Sequence, residues 1–95
     1  MDVEFDGDVW FWRGPAPFHY VSVPDELCGG VEAASGLVSY GWGMVPVTVR
    51  VGATRCATSL WPKDGGYIVP LRADVRRVEQ VELGDTVTVR LTIDV

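Results

Sequence analysis

The sequence predicts a mainly β fold in which a duplicated β unit closes into one small barrel with one or two short helices. The first observation behind this is an internal echo: Val47-Thr48-Val49-Arg50-Val51 returns as Val87-Thr88-Val89-Arg90-Leu91. Each copy lies downstream of an extended stretch ending in Val-Pro, at Val23-Pro24 and Val69-Pro70. The second is composition, because a valine-rich chain with 11 Gly and 6 Pro favours short strands and tight turns over helices. The third is length: 95 residues, 47% of them hydrophobic, bury one core and leave no room for a second, so residues 1–95 form a single domain.

Residues 2–6 alternate acidic and apolar, which sets Val3 and Phe5 on one face of a half-buried strand and Asp2, Glu4 and Asp6 on the other. A break is expected at Gly7-Asp8. The next run, Val9 to Trp12, stops at Arg13-Gly14-Pro15-Ala16-Pro17, where two prolines remove backbone donors, and the segment reads as a hairpin opening the fold. Phe18 to Val23 is the following strand. Pro24-Asp25-Glu26 then offers helix-start chemistry, with acidic side chains at the positive end of the dipole. Leu27, Val31 and Ala34 fall at helical spacing, although Gly29-Gly30 weakens that helix by about 1 kcal/mol per glycine.

The second half repeats this plan. After Val69-Pro70, Leu71, Val75 and Val78 again stand at i, i+4 and i+7. Val45, Val47, Val49 and Val51 are expected to face inward in the first echoed strand, and Val87, Val89, Leu91 and Ile93 in the second. Arg50 and Arg90 become equivalent surface positions, expected to hold solvent or cross-strand carboxylates rather than a ligand. Between the halves, Thr54 to Trp61 reads as a strand that ends in the turn signals of Pro62-Lys63-Asp64-Gly65-Gly66 and leads into Tyr67 to Val69.

The net charge of -5 works against nonspecific binding to nucleic acid or an anionic membrane. Asp2, Glu4, Asp6 and Asp8 interrupt every apolar stretch at the start of the chain, so neither a signal peptide nor a membrane span is expected. Cys28 and Cys56 lack CxxC spacing, which predicts two reduced thiols in a cytoplasmic protein.

Several segments together resemble a known family: Gly41-Trp42-Gly43, Thr58-Ser59-Leu60-Trp61-Pro62, Gly66-Tyr67-Ile68-Val69-Pro70-Leu71-Arg72, Val75-Arg76 and Leu83-Gly84-Asp85-Thr86-Val87. With Phe5, Trp10 and the Phe18-to-Pro24 segment, they resemble a small bacterial and archaeal domain-of-unknown-function family, numbered nineteen-oh-five. The resemblance implies a double-split, swapped-hairpin-like β-barrel with a pseudo-two-fold internal repeat, similar in shape to AbrB-type regulators and MazE-type antitoxins but with both halves fused in one chain, hence a monomer. Cys56 stands where such relatives often carry Trp, Trp61 where Phe is usual, and Arg72 where Lys is common. The first two departures suggest compensating changes at one aromatic site, and the third replaces a point ammonium by a planar fork.

Candidate chemistry is sparse. Arg72 and Arg76 are four apart on the second helix, and with Thr58 and Ser59 they make a candidate ligand-binding set for a carboxylate or phosphate. The competing reading pairs these arginines with Asp74, Glu79 or Asp85 on a solvated face. Trp10, Trp12, Trp42 and Trp61 are candidates for stacking on a ligand or partner, Trp10 and Trp12 sharing a strand face, with core filling as the alternative. His19, Ser59 and Asp85 lack a nucleophile-elbow context, so no catalytic residue is assigned. One His and two distant Cys give no metal-ligand spacing, and the glycine clusters open no βαβ unit, so no metal or cofactor is expected. The expectation is a non-catalytic module for a small molecule or protein partner. An AbrB-like DNA-binding regulator and an enzyme with an unrecognised active site are the alternatives.

Overall fold

The structure, a computed structural model, describes residues 2–13, 18–38 and 44–93, with 18 and 34–38 described as backbone only. The chain runs β1 (Asp2–Asp8), β2 (Trp10–Trp12), β3 (Phe18–Ser22), α1 (Asp25–Val38), β4 (Val45–Val51), β5 (Thr54–Lys63), β6 (Gly66–Leu71), α2 (Ala73–Val78) and β7 (Thr86–Thr92). The strands form one curled antiparallel half-barrel sheet in the order β1-β7-β4-β5-β6-β3-β2. It curls far enough to bring β1 against β3: a Cβ on Gly7 would overlap the Val21 side chain, so glycine permits the approach.

The internal echo is written into the strand pairing. Equivalent strands pair with each other, β3 with β6 and β4 with β7. In the second pair Arg50 lies directly opposite Arg90, flanked by Val49 opposite Leu91 and Val51 opposite Val89. Exchanging each residue for its echo maps that register onto itself, so a local two-fold passes between the two arginines. The same holds for β3 and β6, where Val21 lies opposite Val69 and the Val23 amide donates to the Tyr67 carbonyl at 3.0 Å.

Alternation then fills the barrel. Val45, Val47, Val49 and Val51 are buried, as are Val89, Leu91 and Ile93, while Val87 is half-buried against them. Val21, Leu60, Val69, Leu71, Val31 from α1 and Val75 from α2 complete the same cluster with Phe5 and Val9. Each fully buried side chain of this size contributes about 1.5–3 kcal/mol.

Four sequence expectations change in detail. The strand β1 runs through Gly7-Asp8 without a break and pairs with β7 at the far end of the chain, so the opening hairpin is β2–β3. The strand β6 continues through Pro70, because β5 pairs with β6 only as far as Ile68 and the missing N–H removes no ladder hydrogen bond there. Leu71 is therefore a buried strand residue, and α2 is a six-residue helix that buries Val75 and leaves Val78 exposed. The helix α1 passes through Gly29-Gly30, held by burial of Val31 and partial burial of Leu27 and Cys28. The side chain of Ala34, the turn at 14–17 and Gly41-Trp42-Gly43 lie outside what the structure describes.

Candidate functional site

The two halves of the sequence-predicted ligand set face different ways. Thr58 lies opposite Val47 on the core side of β5, with Cys56 and Leu60, whereas Ser59 lies opposite Pro46 and shares the outer face with Trp61 and Lys63. Arg72 contacts Asp74 with its Nε at 3.4 Å. The Cys56 thiol is pushed up by burial, with Arg72 lowering and Asp74 raising it, so both charges bear on the core side of β5. Arg76 donates from Nε to the Leu71 carbonyl at 3.3 Å, and its charge bears on His19 of β3. The arginines are thus engaged with different neighbours, and the Arg72–Asp74 contact matches the solvated-pair alternative. Of the other two carboxylates considered, Glu79 accepts from the Thr54 hydroxyl at 2.6 Å and Asp85 accepts from the Glu82 amide at 2.8 Å.

Nor are His19, Ser59 and Asp85 brought together. His19 shares the core side of the sheet with Val21 and meets the Phe11 ring edge-on at 5.4 Å, while Ser59 faces outward and the Asp85 carboxylate is engaged in a turn. Among the described residues no three His, Cys, Asp or Glu side chains group as metal ligands. Cys28 and Cys56 are free thiols, and the Cys28 thiol donates to the Pro24 carbonyl at 3.4 Å.

What the strand registers bring together is an aromatic face on the outside of the barrel. Trp10 lies opposite Tyr20, Tyr20 opposite Pro70, Ser22 opposite Ile68, and Ile68 opposite Trp61. All of these alternate with Val21, Val69 and Leu71, which point into the core. Tyr20 is the hub: its ring centroid is 5.5 Å from Trp10 and 5.9 Å from both Trp12 and Trp61. It is 0% exposed and Ile68 only 3%, yet neither belongs to the core cluster. The three tryptophans are half-buried, leaving indole surface at the edge of the cluster.

Polar groups rim this face. The Trp10 indole N–H donates to the Ser22 hydroxyl at 3.1 Å. The Lys63 ammonium stands 5.0 Å from the Trp12 ring centroid, a cation–π arrangement, and bonds Asp64 at 2.8 Å. A groove of about 370 Å³ opens beside them, lined by Trp10, Ser22, Asp25, Lys63, Asp64 and Tyr67 among others. Apolar walls with a few converging donors and acceptors are the usual make-up of small-molecule sites. Burial pushes the Tyr20 phenol up, which keeps it protonated and unsuited to act as a base.

Period-two spacing placed Trp10 and Trp12 on one face; Tyr20 and Trp61 join them only through the pairing of four strands, which no local pattern displays. The same geometry corrects the idea that Cys56 and Trp61 are compensating changes at one site, since Cys56 packs toward the core and Trp61 stacks outside it. Trp42 lies outside the described residues.

No curated protein matches the chain. The family model "Domain of unknown function (DUF1905)" matches residues 5–91, nearly the whole chain and every strand of the barrel in whole or in part. The chain belongs to that family.

Proposed function

We propose that this domain is a non-catalytic binding module that takes a small ligand with a flat apolar portion on its outer aromatic face. The observation that carries this is the face opposite the core cluster where the half-buried Trp10, Trp12 and Trp61 pack over a buried Tyr20, beside a polar-rimmed groove lined by Trp10. A core aromatic packs inward; these pack on one another outside. The ammonium of Lys63 and the carboxylates of Asp25 and Asp64 provide charged contacts of both signs at the groove. The internal two-fold pairs the two repeats with each other within one chain, which supports a monomer and weakens the basis for the dimeric DNA-binding geometry of the barrels it resembles in shape. Two free thiols fit a reducing, cytoplasmic setting.

Thermal-shift screening against a library of small aromatic and heteroaromatic compounds tests the proposal, because a ligand that binds the native state raises the melting temperature with its excess over Kd. Stabilising compounds are expected to lose their effect on Trp12→Ala and to weaken on Lys63→Gln. Compounds that stabilise both variants as fully as the wild type would place binding elsewhere, and chemical turnover of a hit would establish an enzyme instead.

A further inference from the structure

Three strands carry arginines directly opposite one another: Arg90 of β7 faces Arg50 of β4, and Arg50 faces Arg55 of β5. All three point outward, alternating with the buried Val49, Val51, Val89 and Leu91. The chain has only eight lysines and arginines against thirteen acidic residues, and three of those eight stand in this one row. Like charges set opposite across strands are destabilising, so the row has a cost that the fold itself does not require.

Its neutralisation is incomplete and one-sided. Glu4 of the neighbouring β1 reaches Arg90 at 3.4 Å, and Asp2 lies on the same side. The Arg50 Nε donates to the Gly52 carbonyl at 3.0 Å. Arg55 stands at the β5 end of the row, and its guanidinium makes no hydrogen bond or ion pair with the described residues. Two shallow depressions of about 270 and 280 Å³ meet at the row, both lined by Arg50 and Arg90. The second adds Arg55 and the cross-strand pair Thr48 and Thr92, with the Asp2 carboxylate on its β1 side. Planar guanidiniums converging with hydroxyl donors match the oxygens of a tetrahedral oxyanion, which they bind in bidentate fashion.

We propose that Arg50, Arg55 and Arg90, with Thr48 and Thr92, form a binding site for the phosphate group of a small phosphorylated ligand. The site lies on the β7–β4–β5 side of the barrel and does not depend on the aromatic face. Long nucleic acid is the poorer fit, because the acidic residues of β1 border the row and the chain as a whole is negative.

Isothermal titration and thermal shift of the full chain with pyrophosphate, at low and at high salt, test this. The expected result is saturable binding that raises the melting temperature. Arg55→Gln should weaken it about ten-fold or more, as losing a charge-assisted contact does, without lowering the ligand-free melting temperature. Arg55→Lys should fall between the two, and Arg77→Gln on α2 should behave as wild type. Absence of saturable binding to the wild type, equal binding by Arg55→Gln, or tighter binding of a short DNA duplex than of pyrophosphate would overturn the proposal.

Discussion

Tyr20 shows how a residue can be fully buried without entering the core. It faces away from the core cluster and is sealed by Trp10 and Trp12 of the neighbouring β2 and by Trp61 of β5, reaching across β6. Tyr20→Ala should therefore cost as much as a core truncation, roughly 3–5 kcal/mol in urea denaturation; a loss below about 1 kcal/mol would mean that the cluster does not hold together. His19 carries a different signature. Burial first, and the Arg76 charge second, hold its imidazole below the ordinary value of 6.5. Above that value the ring is neutral in both folded and unfolded chains and its contribution to stability is complete. As the pH falls below it, the unfolded chain takes up a proton that the folded one resists, and stability is lost until the folded pKa is passed. His19→Gln should flatten the slope of stability against pH on the acid side of 6.5. An unchanged slope would assign the acid sensitivity to other groups.

At the scale of elements, the connection from β4 to β5 depends on a contact from the far half of the chain. Gly52 has φ +60, a left-handed conformation, and a Cβ there would overlap the carboxylate of Glu79, which follows α2 and accepts from the Thr54 hydroxyl. Gly52→Ala should lose more than about 1 kcal/mol from backbone strain and overlap together. In a Glu79→Ala background the penalty should shrink, leaving the backbone part, and a double-mutant cycle measures the difference. Local patterns made most strands legible, because alternation in Asp2–Asp8, Val45–Val51 and Thr86–Thr92 reports which side is buried. They did not disclose that β1 joins β7, a pairing fastened by the Thr86 and Thr88 hydroxyls donating to Asp8 and Asp6 at 2.6 Å each. Nor did helical spacing at Leu71, Val75 and Val78 distinguish a short helix from a strand entering one, because Leu71 is buried in either.

For the whole molecule, the Val-Thr-Val-Arg echo was the most legible feature, since it disclosed a duplicated β unit; that the echoed strands pair with each other about a local two-fold emerges only from the sheet. The candidate site was less so. Thr58 and Ser59 are adjacent in sequence but divided by pleat alternation, and Arg72, expected on one helix with Arg76, is the extended residue that precedes α2, so the two arginines keep separate partners. The outer aromatic face and the arginine row arise from strands far apart in sequence, and only sheet order brings them together. With the two-fold inside one chain, sedimentation velocity should give a single monomer-sized species whose coefficient does not change with concentration. A concentration-dependent dimer would show that the open edges of the sheet find a second copy.

The binding role proposed for the aromatic face is tested most directly by a ¹⁵N NMR titration with a compound that stabilises the protein, followed through the tryptophan indole signals. The indoles of Trp10, Trp12 and Trp61, with the Tyr67 and Ile68 amides, should move together and saturate while the Val47, Val49 and Val89 amides stay in place. Shifts centred on Thr58, Arg72 and Arg76 instead, with the indole signals unmoved, would contradict a binding role for the aromatic face.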